Sequence, residues 1–148
     1  MNKYYSEIIY GGVDGLITTF AIIAGSMGAN IATSTIIILG LASILSDGFS
    51  MGVSSYLAEN ERKFNKNPIK VGLITFLSFI LIGIFPLIPF FFDYEYKYTL
   101  STIVLFLLLF LLGYIKESKL VSGIRTLLIG GAAALIAFYS AKLISENI

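Results

Sequence analysis

The sequence predicts an all-α integral membrane bundle of five transmembrane helices. Three observations carry that reading. Hydrophobic residues make up 57% of the 148-residue chain and charged residues only 13%. The mean hydropathy is +0.89. The apolar residues fall into five stretches, each near the about 20 residues that a spanning helix needs. A water-soluble domain of this size could not bury so much apolar surface, so the surplus faces lipid.

The predicted helices cover residues 8–25, 33–57, 69–92, 98–115 and 121–144, and together form a single transmembrane domain. The first connection, Ser26 to Ala32, carries Gly28 and Asn30 but no charge, and reads as a tight hairpin turn. The second, AENERKFNKNP, is the one markedly hydrophilic stretch and is too short to form a domain. Pro86 and Pro89 predict a kink or an end in the third helix. In the fifth, Gly130, Gly131 and the alanines after them suit close packing, either within the bundle or on a dimer surface. A rival segmentation makes Asp14-Gly15 and Asp47-Gly48 surface turns around one helix from Leu16 to Ser46. That helix would be about 47 Å long, against a bilayer core of about 30 Å.

Lysine and arginine are distributed unevenly between the two sides. Lys3, Arg62, Lys63, Lys66, Lys70, Lys116, Lys119 and Arg125 share one side, and Lys97 and Lys142 the other. By the positive-inside rule the amino terminus is cytoplasmic and the carboxyl terminus extracytoplasmic or lumenal. Tyrosines 4, 5, 56, 94, 96, 98 and 114 lie near proposed helix ends, where an aromatic belt would place them. The start of the chain lacks the compact apolar core and small-residue cleavage site of a signal peptide, so the first helix is expected to be retained.

Several chemistries are disfavoured. The net charge of +1 points to no nucleic-acid partner, and there is no cysteine or histidine. Any metal site must use oxygen or thioether ligands. An enzyme acting on lipid finds no nucleophile-and-base constellation.

Two carboxylates stand deep in the apolar part, Asp14 in the first helix and Asp47 in the second, with no Lys or Arg inside their helices to neutralise them. Pairing the two helices about a turn near residue 29 puts the acids within about 4.5 Å of one depth. An ionised carboxylate at the bilayer centre costs on the order of 3 kcal/mol. Either the acids stay protonated and hydrogen-bond between helices, or they line a path for a cation or proton. The neighbours favour a cation. Glu7, Gly11, Asp14 and Thr18 share one stripe of the first helix, and Asp47, Ser50, Met51 and Ser54 share one of the second. Oxygen ligands with one soft thioether suit ferrous iron or manganese better than sodium or potassium, although on spacing alone Met51 reads equally as packing. Gly11 and Gly15, and Gly48 and Gly52, are each four apart, as at close helix contacts in membranes. Glu59 and Glu61 belong to a solvated loop or collect cations at the cytoplasmic mouth.

The stretches IIYGGVDGLITTFAIIAGSMGA and ILGLASILSDGFSMGVSSYLAENE resemble the vacuolar iron transporter family, whose first two helices carry DG-L-x-T-x-F-A-x-x-AG and DG-x-SMG-x-x-x-YL patterns. The resemblance is dense over the first sixty or so residues and looser over the fifth helix. It implies a five-helix protomer acting as a homodimer, with a cation path between subunits and export of ferrous iron or manganese from the cytosol in exchange for protons. Asp14 matches the family's first-helix acid, Met51 its second-helix methionine, and Glu7 an acidic entrance position. Asp47 would complete the site or relay protons. No permanent cofactor is implied; Fe2+ or Mn2+ would be the cargo and H+ the counter-ion. The implied membrane is vacuolar or another endomembrane in a eukaryote, and the cell membrane in a prokaryote. Well-studied members insert a cytosolic metal-binding domain between the second and third helices, where this chain has only AENERKFNKNP. It therefore looks like the short, nodulin-like or microbial branch. The alternative in another class is a structural or regulatory membrane subunit whose acids only assemble helices.

Overall fold

The computed structural model describes residues 3–62, 66–92 and 94–147. The described chain is all-α: α1 (Tyr5–Gly28), α2 (Thr33–Arg62), α3 (Pro68–Gly83), a 3-10 helix (Phe85–Phe91), α4 (Lys97–Glu117) and α5 (Leu120–Ser145). Four of these helices are long and apolar enough to cross a membrane, and a fifth span results if α3 and the 3-10 helix count as one. The molecule is an integral membrane protein.

α1 ends where Asn30 takes a left-handed backbone at φ 54°, and Ile31 N–H then donates to the Ser26 carbonyl at 2.9 Å. Asparagine tolerates that conformation better than most residues. The break at residues 29–32 rules out a single helix from Leu16 to Ser46. α2 has 30 residues, about 45 Å of helix, so its last turns outrun a bilayer core of about 30 Å. Its expected end at Leu57 is thereby extended into the charged stretch to Arg62. Asn67 caps α3 by accepting from Lys70 N–H at 3.2 Å, and Pro68 occupies the first turn, where its missing N–H costs nothing.

The third segment is not one continuous helix over 69–92. α3 stops at Gly83, and the chain bends by about 40° into the 3-10 helix containing Pro86 and Pro89. Proline removes a helical donor and its ring crowds the preceding turn. The buried Ser101 hydroxyl of α4 donates to the Pro86 carbonyl at 2.6 Å, supplying one bond at the irregular turn inside the bundle.

α3 packs along both α1 and α2, and the two arms of the first hairpin touch each other far less than either touches α3. The direct pairing of α1 with α2 expected from the short turn is therefore replaced, over much of their length, by packing through α3. α5 runs beside α1 and α4. In it Gly130 faces Leu109 and Ile17, an internal contact. Leu16, Phe20, Ile23, Ile36, Ile44, Leu87, Leu105 and Leu109 form the core. At one end of the bundle the Tyr5 hydroxyl donates to the Ile115 carbonyl at 2.8 Å, and at the other Lys97 Nζ donates to Thr33 Oγ1 at 2.9 Å. Lys3, Arg62, Lys66, Lys70, Lys116 and Lys119 lie toward the former, the basic end.

Candidate metal pathway

Phe79 of α3 sets the register of the two acid-bearing helices. A β-carbon on Gly15 would fall on the Phe79 carbonyl, and one on Gly48 would lie 3.2 Å from the Phe79 ring. Residues 15 and 48 thus sit at one level on opposite flanks of α3. Asp14 and Asp47, each one residue earlier in oppositely directed helices, lie within about 3 Å of the same depth.

The surroundings of the two acids differ. Asp14 is half-buried and lines a cavity of about 700 Å³, with Tyr10, Val13 and Ile17 on the α1 side and Gly113, Thr126 and Ile129 facing them. Lys3 and Lys116 stand at its basic end. Asp47 is also half-buried, but it accepts a hydrogen bond from the Ser43 hydroxyl one turn back, and another from Ser46 at 3.3 Å. Those two serines solvate the Asp47 carboxylate from its own helix.

A second cavity, of about 630 Å³, opens toward the basic end between α1, α2 and α3. Glu7 and Tyr10 of α1, Met51, Ser54 and Glu59 of α2, and Thr75 of α3 line it, with Arg62 and Lys66 at its mouth. Glu7 and Met51 thus share a cavity nearer the basic end than the aspartates. Tyr10 and Ser6 line both cavities and stand between them. Glu7 is 12% exposed and forms an ion pair with Lys66 Nζ at 2.8 Å. Lys66 also donates to Ser6 Oγ at 3.2 Å.

Other sequence-predicted positions are not gathered here. Gly11 leaves the Glu7–Asp14–Thr18 stripe: a β-carbon there would crowd the Thr75 carbonyl and Ser78, so Gly11 lies under α3 and faces no path. Gly52 likewise lies against Gly72 and Phe76 of α3. Thr18 is half-buried one turn beyond Asp14, and Ser50 is exposed. Glu61 is exposed and lies outside the lining of the second cavity, whereas Glu59 is 8% exposed and its Oε1 has no hydrogen-bond partner among the described residues. Among the described residues, no three carboxylates converge on one point within a single chain.

In the sequence Lys66 stands out only as a topological charge, and Ser43 and Tyr10 do not stand out at all. The Ser43–Asp47 spacing of four residues was a readable signal for a helical hydrogen bond. Nothing local marked Lys66, because its partner is 59 residues away.

The model of the VIT family matches residues 5–63 and 58–142, two segments that overlap at the end of α2. A vacuolar iron transporter of Toxoplasma gondii is 37% identical over 62 residues, covering 42% of this chain and 20% of the relative. One of Plasmodium berghei is 43% identical over 53 residues, covering 36% and 19%. One of Plasmodium falciparum is 27% identical over 225 aligned positions, covering 95% of this chain and 82% of the relative. The first two matches span only about a fifth of those relatives' length. With a family match running through both acid-bearing helices and on to the last, the chain belongs to the VIT family.

Proposed function

We propose that this protein is a five-span transporter of divalent transition-metal ions, ferrous iron or manganese, working as a homodimer that moves metal out of the cytosol in exchange for protons. The observation that carries this reading is the pair of level, half-buried carboxylates, Asp14 and Asp47, within helices apolar enough to span a bilayer. Charges at that depth are costly, and as a rule they face a water-filled path or a partner. The names of the relatives, vacuolar iron transporters, support iron as cargo and a vacuolar or other endomembrane as the setting.

In this mechanism the basic end is cytoplasmic. Glu7 draws the ion into the second cavity, Met51 offers a soft sulfur contact there, and Ser54 and Glu59 supply oxygen. The ion then passes Tyr10 to the level of Asp14. A second copy against this face would bring two Asp14 carboxylates together, and two nearby acids in a poorly hydrated site hold a shared proton or a metal ion in alternation. A two-fold partner would also cover the polar face of α2, including Ser46, Ser50 and Ser54, which is exposed in one copy. Asp47, held by its two serines, would relay protons or complete the metal site.

The test is Asp14→Asn, which keeps size and hydrogen-bonding capacity but removes the charge. In proteoliposomes holding equal amounts of protein, it is expected to stop both manganese or ferrous iron flux and the accompanying change in lumenal pH. Asp14→Glu is expected to retain part of the activity. Full flux through the Asn variant would favour the other reading, in which the acids only assemble helices.

A further inference from the structure

We propose that the Lys66 ammonium is a tethered competitor for the transported ion, holding the Glu7 carboxylate until a divalent cation displaces it, and so excluding monovalent ions from the cavity. This rests on the reading of that cavity as the metal entrance.

Three observations converge on it. Lys66 Nζ sits 2.8 Å from Glu7 Oε1 and 3.2 Å from Ser6 Oγ, so the cation is held by α1 while its backbone belongs to the short α2–α3 connection. The same cavity is lined by Glu59, which is more than nine-tenths buried and has one carboxylate oxygen without a partner among the described residues. Met51, Ser54 and Ser55 add one thioether and two hydroxyls to the lining. One acid of the cavity is thus neutralised by an internal cation, while a buried oxygen of the other is left over among the described residues. Both are on hand for an ion that can use them together.

Charge decides which ion that is. Potassium or sodium carries the same single charge as the ammonium and cannot match its local concentration, because the lysine is tethered beside the carboxylate. A divalent ion attracts each carboxylate about twice as strongly, and its oxygen and sulfur ligands are already present. Lysine suits such exchange, since its ammonium is a compact point charge on a flexible stem without the rigid fork that anchors arginine. Arg62 also lines the cavity but is exposed.

The experiment compares the unaltered protein with Lys66→Gln, Lys66→Met, Glu7→Gln and the double variant Glu7→Gln/Lys66→Gln. Binding of radiolabelled manganese(II) to the purified full chain is measured by equilibrium dialysis, and flux in proteoliposomes. Both Lys66 variants are expected to tighten binding and lower KM about fivefold, more than they change kcat. They should also become sensitive to potassium chloride beyond the effect of choline chloride at equal ionic strength. In the Glu7→Gln background Lys66→Gln should have no further effect, because the carboxylate it guards is gone. Unchanged or weakened binding in both Lys66 variants, or no new potassium sensitivity, would overturn the inference while the unaltered protein still binds and moves manganese. Failure of the unaltered protein to bind or move any divalent metal would overturn the transport reading along with it.

Discussion

Met51 is the residue at which packing and chemistry are hardest to separate by position. It is half-buried on α2 and lines the cavity that holds Glu7 and Glu59. Met51→Leu conserves volume and hydrophobicity while removing the sulfur, and swaps of this kind usually cost less than about 1.5 kcal/mol of stability. If the thioether contacts the ion, KM for ferrous iron should rise several-fold while that for calcium, a hard ion, stays unchanged. Equal KM shifts for the two ions would return Met51 to packing. Ser43 offers a complementary measurement. Ser43→Ala removes the hydroxyl donated to Asp47 and leaves a part-buried carboxylate short of one hydrogen bond, a loss of about 1–3 kcal/mol for that group when ionised. Proton-coupled flux should slow, and flux equal to that of the unaltered protein would show that the Ser43 hydrogen bond to Asp47 plays no part in transport.

At the scale of elements, α3 is the piece on which the site depends. Small residues let α1 and α2 approach it: Gly15 lies against Phe79 and Gly83, and Gly52 against Gly72. In a membrane such close approach substitutes for the hydrophobic drive that lipid removes. Gly15→Val would drive side-chain atoms into the backbone of α3 and should destabilise the bundle by about 1–3 kcal/mol, lowering the unfolding temperature in detergent. Gly131→Ala is the control, since a β-carbon there meets its nearest neighbour, Phe106, at an ordinary 3.8 Å. A Gly15→Val protein as stable as the control would show that α1 and α3 do not pack this closely. The bend after α3 also has its own support, because the Ser101 hydroxyl satisfies the carbonyl of Pro86.

For the whole molecule the expectations concern orientation and assembly. A reporter fused after the last residue should lie outside the cytosol and one inserted between α2 and α3 should be cytoplasmic, as the uneven distribution of Lys and Arg requires. Both reporters on one side would remove the five-span arrangement. Assembly is open to crosslinking because the chain contains no cysteine of its own. Gly11, on the stripe read from sequence, is unsuitable because it lies under α3. Tyr10 and Thr18 flank Asp14 on the open side of α1, at 61% exposed and half-buried respectively. Single cysteines at these two positions should crosslink between copies if the Asp14 faces meet across a two-fold axis. Crosslinks confined to the outer face of α5, for instance from Leu128 or Tyr139, would place the dimer contact elsewhere.

Composition, spacing and motifs are enough to specify the solvent, the helices and the family. Composition alone demands lipid, residues 26–32 mark the first turn, the prolines mark the break in the third segment, and the two DG motifs carry the resemblance. The sequence also led to the similar depth of Asp14 and Asp47, because a short hairpin constrains axial position almost as firmly as direct packing does. What covers each helix face was decided only in three dimensions. Periodicity places Gly11 beside Asp14, but the arrival of α3 turns one into a packing contact and leaves the other open. Glu59 and Glu61 read alike as loop acids, yet the extension of α2 buries the first and exposes the second. Lys66 meets Glu7 across 59 residues. Local spacing specifies which face of a helix a residue is on. It carries no information about which distant segment comes to lie against that face, and contacts of that kind decide which of the acids can take an ion.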